Sequence, residues 1–353
     1  SSGSDWESFR WFPTATSTGI DFYGRISSIA IRRVSASGAP SAPAVPAAPT
    51  VTRGDTQASV SWTAPANNGA SISSYTLDYS SDSGTTWTTY SSSLSTTSAA
   101  VTGLTNGTSY IFRVLATNSA GSSAYSSSST AVTPAAVPGA PTAVTATRSG
   151  TSLAVSWTAP TSDGGTAITD YTVEYSSNSG TSWSAFAHTA STATSITITG
   201  LTTGNTYITR VTAVNGVGAG TPSSSTTGVL VAVAPGAPTG VTPTRGDTEV
   251  SLTWTAPAST GGSSITSYTV DYSSDAGSTW TTFPTTSATT SLTVTGLTNG
   301  TSYVFRVAAT NVIGTGTNSS TSSAVSPAAL PSAPSATVLL QSNGQVDVSW
   351  TAP

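Results

Sequence analysis

Cysteine, methionine and lysine are all absent from this chain. Without cysteine there are neither disulfides nor thiolate metal sites, so any core stands on packing alone, and the compartment stays open on that ground. Without lysine all basic residues are arginine; ten of them against fourteen acids leave a net charge of -4. That balance offers no basic field for a phosphate backbone, which argues against nucleic acid as a partner. Charged residues make up only 7% of the chain, where about a quarter is usual, so serine and threonine must cover the surface. No run of about 18 apolar residues occurs, and no membrane insertion is expected of this segment. The opening Ser1-Ser2-Gly3-Ser4-Asp5 has neither a methionine nor a signal-peptide pattern, so the start reads as processed or cut.

What is present is a repeat. Ser-Trp-Thr-Ala-Pro or a close variant occurs four times, with its tryptophan at Trp62, Trp157, Trp254 and Trp350, spaced by 95, 97 and 96 residues. A period this long means a string of autonomous domains, since each unit is long enough to bury a modest core of its own. Abundant Thr, Val, Ser and Gly with no helix-period segment point to an all-β chain. Val346, Val348 and Trp350 repeat the first core strand of a module shortly before Pro353, so the chain reads as a piece of a longer polypeptide.

Within the first copy Ala58, Val60 and Trp62 alternate with polar neighbours, and Tyr75, Leu77 and Tyr79 do the same. This is the period-2 signal of half-buried antiparallel strands. A hairpin turns at Ser81-Asp82-Ser83-Gly84, with glycine where a positive φ is needed, and Trp87 follows on the return strand. Leu104 to Tyr110 then leads into Phe112, Val114 and Ala116; the same arrangement appears at Leu201 to Tyr207 and Leu297 to Tyr303. It has the form of a tyrosine corner. The expected core is therefore Trp62, Trp157 and Trp254 with Tyr110, Tyr207 and Tyr303 and with Leu104, Leu201 and Leu297.

The early tryptophan, the Tyr-x-Val/Leu-x-Tyr strand, the Leu-Thr-x-Gly-x-x-Tyr corner and the closing Ala-x-Asn at Asn118, Asn215 and Asn311 together resemble the fibronectin type III family over roughly residues 47 to 353. The resemblance implies tandem seven-stranded, two-sheet Ig-like β-sandwiches in an elongated array. Its Ser-Gly-Thr-x-Trp hairpin is similar to forms appended to bacterial and phage surface proteins. The chain then divides into a Pro/Ala linker at 38–48, modules at 49–134, 138–233 and 235–327, and the start of a fourth at 331–353. Between modules, Pro134 to Pro141, Ala234 to Pro238 and Pro327 to Pro334 read as semi-rigid polyproline II spacers.

Residues 1–37 do not repeat. Trp6 to Phe12 and Asp21 to Val34 fit two strands, too few for an independent core. The stretch from Phe22 to Val34 is similar to the closing strand of jelly-roll carbohydrate-binding or laminin-G-like domains; an arm that pairs with another subunit reads the same way.

Candidate sites are few. Trp87, Trp183 and Trp280 recur on the edge hairpin, and exposed aromatic faces can stack on sugars or proteins, although covering the open side of a small core explains them as well. Arg113, Arg210 and Arg306 match Asp78, Glu174 and Asp271 across paired strands, which reads as outward ion pairs on a solvated face worth well under about 1 kcal/mol each. Arg53-Gly54-Asp55 and Arg245-Gly246-Asp247 spell the tripeptide of integrin-binding fibronectin modules, but sit in the turn before the tryptophan strand, where a Gly-Asp pair is ordinary turn chemistry. Asn106, Asn299 and Asn318 open N-glycosylation sequons that arise readily in so Ser/Thr-rich a chain. His188 is the only histidine, and neither a nucleophile elbow nor a calcium loop accompanies it. No catalytic, cofactor-binding or metal residue is therefore assigned.

The expectation is a non-catalytic structural or adhesive protein outside the cell, on a phage virion or bacterial surface. Its expected partners are other protein subunits, including copies of itself, with surface glycans as a further ligand. The alternative is the spacer region of a secreted polysaccharide-degrading enzyme.

Overall fold

The computed structural model describes residues 38–342 and 344–352; the strands expected within residues 1–37 lie outside them. In the first module β1 (Thr50–Arg53), β2 (Gln57–Ser61) and β5 (Ser98–Thr102) form one sheet in the order β1-β2-β5. Its partner sheet holds β3 (Ser74–Ser80), β4 (Thr88–Leu94), β6 (Ile111–Asn118) and β7 (Gly121–Ser122) in the order β4-β3-β6-β7. Alternation sets the faces: Ala58 and Val60 on β2 are buried while Gln57, Ser59 and Ser61 are exposed. Between the sheets lie Trp62, Tyr75, Leu77, Val101, Leu104, Tyr110, Phe112 and Val114. Trp62 meets Tyr75 edge-on at 5.5 Å between ring centroids.

The second module repeats this with β8 (Thr142–Ser149), β9 (Ser152–Thr158), β10 (Ile168–Ser176), β11 (Ser184–Ala185), β12 (Ser195–Ile198), β13 (Thr206–Asn215) and β14 (Val229–Leu230), around Trp157, Tyr171, Leu201 and Tyr207. The third uses β15 (Thr239–Arg245), β16 (Glu249–Thr255), β17 (Ile265–Ser273), β18 (Thr281–Thr282), β19 (Ser291–Thr295), β20 (Val304–Asn311) and β21 (Gly314–Thr315), around Trp254, Tyr268, Leu297 and Tyr303. A two-stranded hairpin, β22 (Ser335–Ser342) and β23 (Gln345–Thr351), follows. There Trp350 is 70% exposed, against 7% for Trp62. No helix occurs among the described residues.

The corner tyrosines act as acceptors: the Tyr110, Tyr207 and Tyr303 hydroxyls receive the N–H of Thr105, Thr202 and Thr298 at 3.1, 3.1 and 3.2 Å. The last strand of each sandwich departs from regular β-structure. After β7, Ser123, Ser126 and Ser129 donate their N–H to the carbonyls of Ala116, Val114 and Phe112, each at 2.8 Å. Their hydroxyls accept the N–H of those same three residues at 3.1 Å. Each hydroxyl also donates to the carbonyl of the residue after it. Three residues of the edge thus serve two of β6, a continuous series of bulges in which serine Oγ replaces the missing backbone acceptor. Ser223 with Thr226, and Ser319 with Ser322, do the same in the other modules.

Candidate functional site

Two repeated constellations outside the cores hold the chemistry-bearing residues: a stack on the four-stranded sheet and a clamp around the segment that enters each module.

The stack starts from a turn. Ser80 Oγ accepts the Gly84 N–H at 2.9 Å and donates to Asp82 Oδ1 at 2.7 Å; the Asp82 carboxylate accepts the Thr86 N–H at 2.9 Å and the Thr86 hydroxyl at 2.6 Å. The Thr86 bonds foremost, helped by Ser80, hold the Asp82 carboxyl down at about 2, and Asp275 sits at about 2 through Thr279 and Ser273 in the same way. Ser83 and Gly84 take φ of 59° and 92°, and a Cβ on Gly84 would stand 3.5 Å from the Trp87 ring. That separation is an ordinary contact, so it is the left-handed φ that calls for glycine; the indole folds back over the turn, and its Nε1 donates to the Gly84 carbonyl at 3.0 Å.

So placed, Trp87 lies under Arg113. The guanidinium carbon is 4.1 Å from the Trp87 ring centroid and 3.9 Å from that of Tyr125 on the serine-spaced edge. Its Nη2 meets Asp78 Oδ2 at 3.0 Å, and Asp78 also accepts the Thr89 hydroxyl at 2.9 Å. Burial foremost, then Asp78, pushes the Tyr125 phenol up. Arg210 on Trp183 with Glu174, and Arg306 on Trp280 with Asp271, repeat the arrangement at 4.3 Å from each ring. The expected ion pairs form in all three modules, but their solvation is corrected for the first: the Asp78 side chain is only 3% exposed and Arg113 only 26%, because the Trp87 indole and the Tyr125 phenol roof the strand face that alternation points outward; Glu174 and Asp271 keep 21% and 14% exposure. The half-buried tryptophans have one ring face covered by a guanidinium, which removes that face from contact with a sugar. A cation held over an aromatic ring in such partial burial contributes about 1 kcal/mol.

The clamp is built by the closing asparagines. Asn118 Nδ2 donates to Ser41 O at 2.8 Å and Asn67 O at 2.9 Å. Asn215 does the same to Ala136 O and Asp163 O, and Asn311 to Val233 O and Thr260 O. Residues 138–161, 168–214 and 218–353 form one compact unit, and inside it the chain entering the segment expected to be a spacer, and Gly236 within that segment, are bonded to both modules. Val231 exchanges backbone bonds with Asn205 and Gly204; Val233 N–H reaches Gly261 O at 2.8 Å, and Gly236 N–H reaches Ser259 O at 2.9 Å. A Cβ on Gly262 would stand 2.5 Å from Gly204 N, so the corner loop of the second module and the strand-connecting loop of the third touch backbone to backbone.

A comparison with known proteins matches the description "Fibronectin type III domain" to residues 41–132, 139–229 and 236–325. The chain belongs to the fibronectin type III family. It is 30% identical over 268 residues to M-protein, striated muscle, of Gallus gallus, covering 73% of this chain and 18% of that protein. It is 31% identical over 235 residues to Myomesin-2 of Homo sapiens, covering 64% of this chain and 16% of that protein. The chain thus spans less than a fifth of the length of these relatives. Among solved structures it is similar to the chicken CNTN1 FN1–FN3 domains, with 22% identity and a TM-score of 0.32 over 81% of this chain and 99% of that one.

In these fibronectin type III modules the two Arg-Gly-Asp tripeptides are tied down. Asp55 Oδ1 accepts Asn106 Nδ2 at 2.8 Å, and Asp247 Oδ1 accepts Asn299 Nδ2 at 2.8 Å. The Gly54 and Gly246 carbonyls accept from Ala135 and Ala328. The same bonds engage the amide nitrogens of two of the three sequons. His188 lies apart, half-buried, its Nδ1 2.9 Å from the Thr189 carbonyl. Sequence reasoning missed the asparagine clamp and the turn's Ser-Asp-Thr network. The second was signalled by Ser80-x-Asp82-x-Gly84-x-Thr86-Trp87 recurring at Ser273 to Trp280, with Asn178 and Ser182 as its variants in the second module.

Proposed function

We propose that the chain is a non-catalytic structural array whose fibronectin type III modules hold other protein subunits at a set spacing and orientation. The observation that carries this is the segment from Val231 to Gly236, bonded on one side to Gly204 and Asn205 and on the other to Ser259 and Gly261, with Asn311 closing on Val233. A connection bonded to both modules transmits orientation as well as distance, where a free linker transmits only reach. The saturated arginine and carboxylate pairs support the non-catalytic reading. Placement outside the cell rests on the sequence alone, on its scarcity of charge and of tryptic sites. The muscle proteins named above are animal proteins and give no support to a virion or bacterial surface, so no such setting is claimed.

Since the chain has no cysteine, Thr197→Cys and Thr293→Cys give one spin-labelled pair across the second and third modules of the full chain. A single narrow distance distribution is expected, broadened by Asn311→Ala while circular dichroism stays β-rich. A distribution as broad in the parent as in the variant would remove the basis for the proposal.

A further inference from the structure

The three modules differ at one place on the strand edge. Beside the first, Tyr75 pairs with Leu94 of β4. Beside the third, Tyr268 N–H donates to Ser287 O at 2.7 Å and Ser287 N–H returns to Tyr268 O at 3.0 Å. The second module follows the third as far as Phe186, whose N–H reaches Val173 O as Phe283 reaches Val270 O. Then it diverges. Tyr171 stands where Tyr268 does, and among the described residues no bond comes to its N–H or carbonyl from that side. Ser191, the counterpart of Ser287, gives its N–H at 3.0 Å to Asp170 Oδ1 instead.

Two sequence differences accompany this. Asp170 replaces the serine found at Ser74 and Ser267, and the connection from Phe186 to Ser195 is one residue longer than that from Phe283 to Ser291. The carboxylate captures the segment that would otherwise close the edge. What remains is a cleft of about 130 Å³ lined by Trp157, Tyr171, His188, Thr189, Ser191 and Ile196 among others. Tyr171 itself is 3% exposed, and a buried backbone donor and acceptor without partners are rare in proteins.

We propose that this open edge is a binding site for an extended peptide of small hydroxylated residues, added as a short strand against Tyr171. The chemistry is that of strand addition, in which main-chain bonds supply the attachment and pocket size selects side chains. A residue opposite Tyr171 exchanges two backbone bonds with it, as in any hydrogen-bonded antiparallel pair. The third module shows what fits, since Thr286-Ser287-Ala288 fills the homologous place there. The proposal is independent of the spacer reading.

The test uses the full chain, isotopically labelled, and a synthetic peptide copying residues 284–291, Pro-Thr-Thr-Ser-Ala-Thr-Thr-Ser. In the free chain the Tyr171 amide is expected to exchange at least about tenfold faster than those of Tyr75 and Tyr268. The peptide is expected to shift Tyr171 and residues 187–193 saturably and to slow that exchange. The same peptide N-methylated at its central serine should do neither. Asp170→Ser with Ala190 deleted restores the third module's sequence pattern; it should slow Tyr171 exchange and abolish the shifts while Tyr268 is unchanged. Three results would overturn the proposal: Tyr171 already protected like Tyr268 in the free chain; rapid exchange with no shift at saturating peptide, which means the cleft holds water only; or binding undiminished by the N-methyl group.

Discussion

The Arg113 guanidinium carbon sits 4.1 Å from the ring centroid of Trp87, and this one contact converts a surface strand into a partly covered one. The carboxylate it neutralises in the first module is nearly inaccessible, whereas Asp271 and Glu174 are 14% and 21% exposed. Stranding a buried carboxylate costs far more than losing an exposed pair. Arg113→Ala is therefore expected to destabilise its module by about 3 kcal/mol, Arg306→Ala by less, and Arg210→Ala by least. Denaturant unfolding of the full chain, followed by tryptophan fluorescence, checks the order; equal effects would show that burial of the carboxylate does not matter.

The turn aspartates make stability depend on pH below the physiological range. Because Asp82 and Asp275 sit at about 2 in the folded chain and near 3.9 unfolded, their contribution is complete above about pH 5. It is lost as pH falls toward 2. Asn178 occupies the same place in the second module and does not titrate. Carboxyl resonances followed from pH 5 downward should show both aspartates titrating far below the ordinary range, with the second module's turn unmoved; ordinary midpoints would contradict the assigned bonds.

Trp254 tests what the core tryptophans supply. Its Nε1 is buried without a hydrogen-bond partner, as is that of Trp62. Trp254→Ala should cost about 3 to 5 kcal/mol through the cavity left behind. Trp254→Phe, which removes no hydrogen bond and leaves a smaller cavity, should cost less, about 1 to 3 kcal/mol. A phenylalanine variant as damaged as alanine would mean that a smaller aromatic ring recovers none of the packing the indole supplies.

Ser126 and Ser127 are adjacent and chemically identical, yet only Ser126 satisfies the buried N–H of Val114. Ser126→Ala should destabilise by about 1 to 3 kcal/mol, the cost of an orphaned buried donor, while Ser127→Ala should be near neutral. Thermal melts of the two variants decide it, and a matching pair of values would reduce the serine spacing to coincidence.

Much of the sandwich was visible along the chain because its determinants are local. Ala58, Val60 and Trp62 alternate, and Leu104 stands six residues from Tyr110, so neither needs a distant partner to be recognised. The asparagine clamp was visible only as a family signature: Asn118 bonds Ser41 and Asn67, and no local pattern says so. Asp78 was misread for a related reason, since alternation points it outward and the ring that roofs it comes from a separate hairpin. The three-residue serine spacing at Ser123, Ser126 and Ser129 was legible in principle but hidden within a serine-rich run. The different course of the connection after Phe186 was not legible, because the bond from Ser191 to Asp170 joins residues 21 apart in the chain.

The serine-spaced edge has a further consequence for a chain that repeats itself. Near-identical domains in tandem invite exchange of strands between neighbours during folding, and exposed sheet edges invite association between molecules. An edge that spends three residues for every two of its partner and satisfies that partner with hydroxyls offers no evenly stepped row of backbone groups to an incoming strand. In each module that protection is placed in the last segment to leave the nascent polypeptide, so the final strand both completes its own sheet and seals it against the copy that follows.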